Sequence, residues 1–192
     1  MSYRIRMAKP SDAAELLAVY TPYVLNTNVT FEYVPPTVEE FRARIEGTLA
    51  KGFPYLTAEG EEGLIGYLYV SPLKGRAAYE WAVESSIYVK EEARGRKVGR
   101  NLYRVMEELL RRQHIVTVNA CVTFPNPASQ RFHEEIGYRL TAHLKHVGYK
   151  RGQWMDTLWL QKWLTPLPAV PDPVVSFTEI KTDDLLGKIF EE

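Results

Sequence analysis

The chain has 192 residues, 45% of them apolar and 25% charged, with 24 basic and 24 acidic side chains in balance. That length suits one domain with a sizeable core, and zero net charge excludes a global basic field for nucleic acid, so any cationic patch is local. No apolar run approaches the ~20 residues that span a bilayer, "MSYRIRMAKP" lacks a signal-peptide apolar core, and the single cysteine, Cys121, allows no intrachain disulfide framework; a cytoplasmic protein without membrane partners is expected.

In chain order, "YRIRMA" alternates and predicts a first strand. "PSDAAELLAVYTPYV" predicts a helix, with Asp12 and Glu15 at capping-box spacing and Leu16, Val19 and Tyr20 as its apolar stripe. "NTNVTFEYVPPT" reads as a loop. "TVEEFRARIEGTLAKG" predicts a second helix, capped by Thr37 and Glu40 and ended by Gly52. "FPYLTAEG" and "EGLIGYLYVSPL" predict a hairpin around an acidic, glycine-bearing turn, and "AYEWAVESSIYV" a third long strand. From about Val98 to Gln113, apolar residues at Val98, Leu102, Val105, Met106, Leu109 and Leu110 predict an amphipathic helix. "IVTVNACV" predicts a buried strand carrying an inert Cys121. "NPASQRFHEEIG" predicts a compact helix capped by Asn126, opened by Pro127 and closed by Gly137. Residues 138–164 predict two strands joined near Gly152. Residues 1–165 form the expected domain; 166–192 are a proline-rich tail, with a short strand expected in "VVSFTEI" and a short amphipathic helix over 182–190 that docks on the body or on a second subunit.

This order gives a mixed α/β domain around a central sheet. The path from "AYEWAVESSIYV" through the 98–113 helix to "IVTVNACV" is a strand–helix–strand crossover, which makes parallel neighbours. Between that strand and helix, "ARGRKVGR" packs Arg94, Arg96, Lys97 and Arg100 around Gly95 and Gly99. A helix start already carries partial positive charge. Four cations there make sense if a multiply charged anion such as a pyrophosphate neutralises them, held by free backbone N–H groups that the glycines allow it to approach; a solvated charged turn is the alternative. The spacing is neither a Walker loop nor a G-x-G-x-x-G fingerprint.

Arg94-x-x-Lys97-x-Gly99 resembles the coenzyme A pyrophosphate loop of the GNAT acetyltransferases, (Arg/Gln)-x-x-Gly-x-(Gly/Ala), with Lys97 in a glycine position. Lysine keeps the backbone N–H that the loop uses, provided residue 97 adopts negative φ. "NPASQRFHEEIGY" resembles the family's Asn-x-x-(Ala/Ser)…(Tyr/His)-Glu-x-x-Gly-(Phe/Tyr) helix. "YEWAVESSIYV", "GYKRGQWMD" and "PDPVVSFTEI" are similar to the phosphinothricin and methionine sulfoximine N-acetyltransferase branch, where Met155 stands in place of a histidine found in some members. The resemblance implies the GNAT fold: a mostly antiparallel sheet with one parallel pair splayed at the coenzyme site. It implies acetyl-CoA as cosubstrate, transfer to the α-amine of a small amino acid or analogue, and a homodimer; His114, His133, His143 and His146 lack a ligand arrangement, so no metal is expected.

Alternation puts Glu80, Ala82, Glu84, Ser86 and Tyr88 on one face of their strand, and buried carboxylates there need water, a partner or a cleft. The resemblance implies Glu84 as general base, backbone N–H groups of Ile87, Tyr88 and Val89 along the thioester and pantetheine arm, and residues Arg94, Gly95, Arg96, Lys97, Val98, Gly99 and Arg100 around the pyrophosphate. Asn126 and Ser129 lie toward the coenzyme arm. His133 fills the slot of an acidic tyrosine and is a candidate proton donor to the leaving thiolate, with a surface histidine as the alternative. Lys74 and Arg76 are candidates to clamp a carboxylate or phosphinate, and Phe31 and Tyr149 to line an apolar wall; a solvated loop and plain core are the alternatives. Rival functions are a non-catalytic acyl-CoA sensor and a peptide or protein N-terminal acetyltransferase.

Overall fold

The computed structural model describes residues 2–190. Its strands are β1 (Tyr3–Met7), β2 (Tyr55–Gly60), β3 (Gly63–Pro72), β4 (Ala82–Val89), β5 (Thr117–Phe124), β6 (Arg139–Lys150), β7 (Gln153–Trp163) and β8 (Ile189–Phe190). They form one sheet in the order β6-β7-β5-β4-β3-β2-β1-β8, antiparallel except for the parallel pair β4–β5. The helices are α1 (Ala13–Asn26), α2 (Val38–Ala50), α3 (Val98–Arg112) and α4 (Pro127–Glu135). Among the described residues no helix is long and apolar enough to cross a membrane.

Two cores sandwich the sheet. On one face Leu102, Val105, Met106, Leu109 and Leu110 of α3 bury against Ile5, Leu68, Val83 and Val118. On the other, α1 and α2 bury Leu16, Tyr20, Phe41 and Ile45 against Tyr55 and Tyr67. The Thr37–Glu40 capping box forms as expected, as does the Asn126 cap, whose side chain accepts from Ser129 N at 3.2 Å.

Four local expectations are corrected. Asp12 does not pair with Glu15 to cap α1. Its carboxylate accepts from Arg6 at 2.7 Å and from Lys9 N, while Glu15 reaches Leu64 N at 3.2 Å, so both staple the helix to the sheet. The strand through Glu84 starts only at Ala82, because Ala77–Tyr79 is a short 3-10 turn that leaves Glu80 exposed outside the ladder. "VVSFTEI" is no strand: Phe177–Glu179 is a 3-10 turn capped by Ser176. Residues 182–190 form no helix. One turn closes with Leu185 N on Thr182 O, Gly187 enters the left-handed region at φ +76°, and β8 then pairs with β1. A nucleus so short gains little from helix formation, whereas the open edge of β1 supplies ladder partners and Arg112 holds Asp184 by two bonds of 2.7 Å.

The tail therefore straps the body. Gln113 Nε2 donates to Gly52 O and Val175 O, both at 2.8 Å, Trp81 Nε1 donates to Asp172 O at 2.7 Å, and Phe190 stacks on Tyr3 at 5.7 Å. Val174, Ile180, Leu185, Leu186 and Phe190 pack half-buried against the main core. At about 1 kcal/mol each, their loss on deletion of residues 166–192 costs about 5 kcal/mol. A thermal melt of the truncated chain is expected to fall by about 10–20 °C; a shift of under about 3 °C contradicts this packing.

Candidate active site

The β4–β5 pairing runs from Ala82↔Thr117 to Ser85↔Ala120 and stops, although both strands continue. Beyond that point β4 stays bound to β3 as far as Val89 and β5 stays bound to β7 as far as Phe124, so a gap opens between them. Lys90 N donates to Ile65 O, which sets the phase of the β3–β4 ladder. Glu84, Ser86 and Tyr88 then exchange bonds with β3, and Ile87 and Val89 turn their backbone groups toward β5. Val89 N–H meets the Tyr23 hydroxyl at 3.3 Å; the Ile87 backbone faces the gap.

Glu84, in register with Ser71 and Asn119, lies half-buried on the α1/α2 face. Burial pushes its carboxyl above the ordinary value, and the Lys74 charge partly opposes that shift. Cys121 is exposed on the same face rather than buried as expected, because α1 and α2 cover β2 and β3 but leave β5 open. Desolvation of its sulfur and the nearby Glu84 charge push the thiol up to about 11, so it stays protonated and unreactive.

The opposite face carries a buried polar chain. Ser85 Oγ lies 3.0 Å from the Tyr103 hydroxyl, which lies 2.9 Å from His133 Nε2, and His133 Nδ1 lies 2.8 Å from Ser129 O. His133 is only 3% exposed, so it is no surface histidine. Burial lowers its pKa, and the Ser129 carbonyl opposes that shift. Ser85, Ile87, Tyr103, Cys121, Asn126 and His133 line one cleft of about 60 Å³ at the splay. A larger hollow of about 630 Å³ adjoins it and shares Val29, Thr123 and Asn126.

The 93–100 loop follows β4 directly and enters α3. Arg94 leans over the Tyr23 ring at 5.5 Å and bonds its hydroxyl at 3.2 Å, and Arg100 reaches Glu135 at 3.3 Å. Arg94, Lys97 and Arg100 are exposed, Arg96 is half-buried, and Val98 is buried in the core. The two glycines differ in role. Gly95 has φ +76° and takes the turn, whereas a Cβ on Gly99 would stand 3.2 Å from Phe132 Cζ, so its small size serves α3–α4 packing. Lys97 does not adopt negative φ. It sits at φ +58° as the N-cap of α3, because the chain must reverse there to start the helix and no glycine is present to do so without cost.

A family model described as an acetyltransferase (GNAT) domain matches residues 5–159. The chain belongs to the GNAT acetyltransferase family. It is 35% identical over 176 residues to the phosphinothricin N-acetyltransferase of Streptomyces viridochromogenes, covering 92% of this chain and 95% of that one. It is 28% identical over 172 residues to the L-methionine sulfoximine/L-methionine sulfone acetyltransferase of Pseudomonas aeruginosa, covering 89% and 100%. Among solved structures, a phosphinothricin acetyltransferase from Sinorhizobium meliloti in complex with AcCoA matches with TM-score 0.83 at 31% identity, covering 92% of this chain and 99% of that one.

On the acceptor side of this GNAT sheet the expected residues are only partly gathered. Lys74 is exposed and close enough to Glu84 to act on its charge, while Arg76 is exposed at the start of the 77–79 turn. Phe31 and Tyr149 do not share a wall. The Phe31 ring fills the place of a side chain at Gly148, where a Cβ would meet it at 2.3 Å. Tyr149, next along the pleat, points the other way onto Trp154 at 5.4 Å. Sequence reading missed Tyr103, Ser85 and Tyr23. Tyr103 adjoins the apolar stripe of α3 at four residues from Gly99 and three from Met106, a spacing that marks a tyrosine facing the sheet. Among the described residues no group of three or more His, Cys, Asp or Glu stands where it holds a metal.

A lysine in the left-handed region costs about 1 kcal/mol relative to glycine. Lys97→Gly is expected to raise Tm by about 2–4 °C, and an unchanged or lower Tm overturns the assignment of strain to this residue.

Proposed function

We propose that this chain is an N-acetyltransferase that moves the acetyl group of acetyl-CoA directly to the α-amine of a small amino acid or analogue of the phosphinothricin or methionine sulfoximine type. The observation that carries the reading is the splay itself: one gap with the Ile87 backbone on its edge, Glu84 on one face and the Tyr103–His133 chain on the other. The named relatives support the substrate class.

Acetyl-CoA fits what the gap offers. A strand edge without a strand partner accepts the amide-bearing pantetheine arm, and the Ile87 N–H is placed to meet a thioester carbonyl. A fixed donor there is worth about 3 kcal/mol once that oxygen becomes an oxyanion. The open N–H groups at the start of α3, ringed by Arg94, Arg96, Lys97 and Arg100, take the pyrophosphate; Asn126 and Ser129 at the start of α4 flank the arm. Glu84 draws a proton from the substrate ammonium, directly or through water, and the free amine attacks the thioester carbon. The nitrogen sheds its second proton as the carbonyl re-forms, the thiolate leaves, and the Tyr103–His133 chain supplies the proton that the sulfur takes up. Lys74 and Arg76 stand on the Glu84 side for an anionic substrate group. The Cys121 thiol, held protonated, is given no covalent role in this reading. Support for a homodimer comes from edge strand β6, where Leu140, Leu144 and Val147 are each about half exposed, at 49%, 44% and 50%.

A thiol-release assay with acetyl-CoA and a panel of amines tests the activity. Glu84→Gln is expected to lower kcat by about 10²–10³-fold while calorimetric acetyl-CoA binding persists; full turnover in that variant removes Glu84 as the base. A non-catalytic sensor shows no thiol release with any amine.

The base works deprotonated, so turnover rises with pH through the Glu84 pKa. Because burial raises that pKa, the acid limb lies above the ordinary 4.5. Removing the opposing charge with Lys74→Ala moves the limb of kcat/KM to higher pH; a limb that stays put shows that another group controls it.

A further inference from the structure

The polar chain on the α3/α4 face has a proton count that assigns a role to Tyr103. Ser129 O and Asn119 O are carbonyls and only accept. His133 Nδ1 therefore carries a hydrogen for Ser129 O at 2.8 Å, and Ser85 Oγ gives its hydrogen to Asn119 O at 3.2 Å. Two contacts remain, Tyr103 to Ser85 Oγ at 3.0 Å and Tyr103 to His133 Nε2 at 2.9 Å, and the phenol has one proton for both. With neutral His133, two lone pairs face each other at one contact. With Nε2 protonated, every contact holds one hydrogen: Nε2–H to Tyr103, Tyr103 O–H to Ser85, Ser85 O–H to Asn119. Across these four contacts the chain is one hydrogen short with neutral His133 and complete when His133 carries one more.

His133 lines the cleft, but both of its ring nitrogens are engaged inside the protein, Nδ1 on Ser129 O and Nε2 on the Tyr103 hydroxyl. Tyr103 and His133 line the same cleft as Ile87, and both are buried, 2% and 3% exposed. We propose that Tyr103 is a catalytic residue, whose hydroxyl rather than the imidazole hands the proton to the departing thiolate, with His133 reloading it and Ser85 holding it in place. The proposal rests on the acetyl-transfer reading above. As the sulfur leaves, the Tyr103 O–H bond breaks and an S–H bond forms. The Nε2–H proton moves to the phenol oxygen in the same event, so imidazolium becomes imidazole and no tyrosinate accumulates. One proton from solvent reloads His133 before the next turnover. The ammonium substrate gives up two protons as it becomes an amide, and one is taken up by sulfur, so each turnover releases one proton.

Other titratable groups face this place: the Tyr138 hydroxyl toward Ser85, and Glu107, whose charge acts on Tyr103. Tyr138 packs edge-on at 5.4 Å between ring centroids and makes no bond to the His133 ring. Behind Tyr138, Glu107 is held by Lys162 at 2.6 Å. Cys121 lines the cleft with a thiol that stays protonated, and the Ser129 hydroxyl, 3.5 Å from His133 Nδ1, lies on the far side of the ring from Tyr103.

The test combines kinetics with nitrogen NMR. Tyr103→Phe keeps the ring in the core and is expected to lower kcat about 100-fold, with KM for acetyl-CoA within about threefold. The solvent-isotope proton inventory is expected to fall from two protons in flight to at most one. Ser85→Ala, a nearly volume-neutral change, is expected to cost about tenfold in kcat. Tyr103→Phe with wild-type kcat overturns the proposal, and so does a loss of kcat that leaves the two-proton inventory intact, since that marks a packing role only. In ligand-free protein, Tyr103→Phe strips the imidazolium of its acceptor, so the His133 titration is expected to drop by about one pH unit; an unmoved titration overturns the relay. An enzyme that acetylates no amine yet shows the shifted titration sinks the acetyl-transfer reading, and with it the role of Tyr103 toward sulfur, while the coupling to His133 stands.

Discussion

The architecture turns on the place where β4 and β5 let go of each other. They pair only as far as Ser85↔Ala120. Each strand is held through its remaining length by its outer neighbour, β4 by β3 and β5 by β7. Separation therefore costs neither strand its ladder, and backbone groups of β4 face an opening instead of a partner. An unpaired polar edge inside a protein is unfavourable unless something takes those bonds. In the proposed reading an extended, amide-bearing arm does so in the manner of an added strand.

The same gap separates two chemistries. Adjacent side chains on a strand point to opposite faces, so Glu84 and Ser85 look in opposite directions from neighbouring positions. Glu84 meets the α1/α2 side, where Tyr20, Tyr67, Tyr69 and Tyr88 pack in a ring-to-ring cluster at 4.8–6.4 Å. That apolar bed desolvates the carboxyl and raises its pKa toward working pH. Ser85 meets α3 and α4, where Tyr103 and His133 sit in the core. In the proposed reaction, deprotonation and protonation are thus separated by the thickness of one strand, and neither group neutralises the other. Access comes from the open sheet around β5, the same exposure that leaves Cys121 uncovered.

The C-terminal segment contributes at a distance. It links Gly52 after α2, Gln113 and His114 after α3, Trp81 before β4, and Ile5 in β1 through backbone and side-chain bonds. The residue just before β4 and the end of the helix behind it are therefore tied to one strap, which also covers the edge of β1.

Periodicity and punctuation were legible in the amino-acid order alone. The stripe of α3, the caps at Thr37 and Asn126, the hairpins and the strand–helix–strand crossover that forces a parallel pair are local properties, set by which residues recur at 2 or 3.6 and by which side chains reach a neighbouring N–H. The basic loop before α3 and the carboxylate strand were legible for the same reason. What the order did not contain was anything set by partners far along the chain. Asp12 left its cap for Arg6, the last residues chose the edge of β1 over a helix, Lys97 was forced into a left-handed turn by the chain reversal, and Gly148 turned Phe31 and Tyr149 apart. Tyr103 became part of the site only because packing set it between Ser85, 18 positions before it, and His133, 30 positions after it. The sequence by itself determined the elements and the loop that enters α3, since their energies are settled within a few residues. The tertiary structure alone decided where the sheet opens and which buried polar groups meet there, because those energies belong to contacts between distant segments.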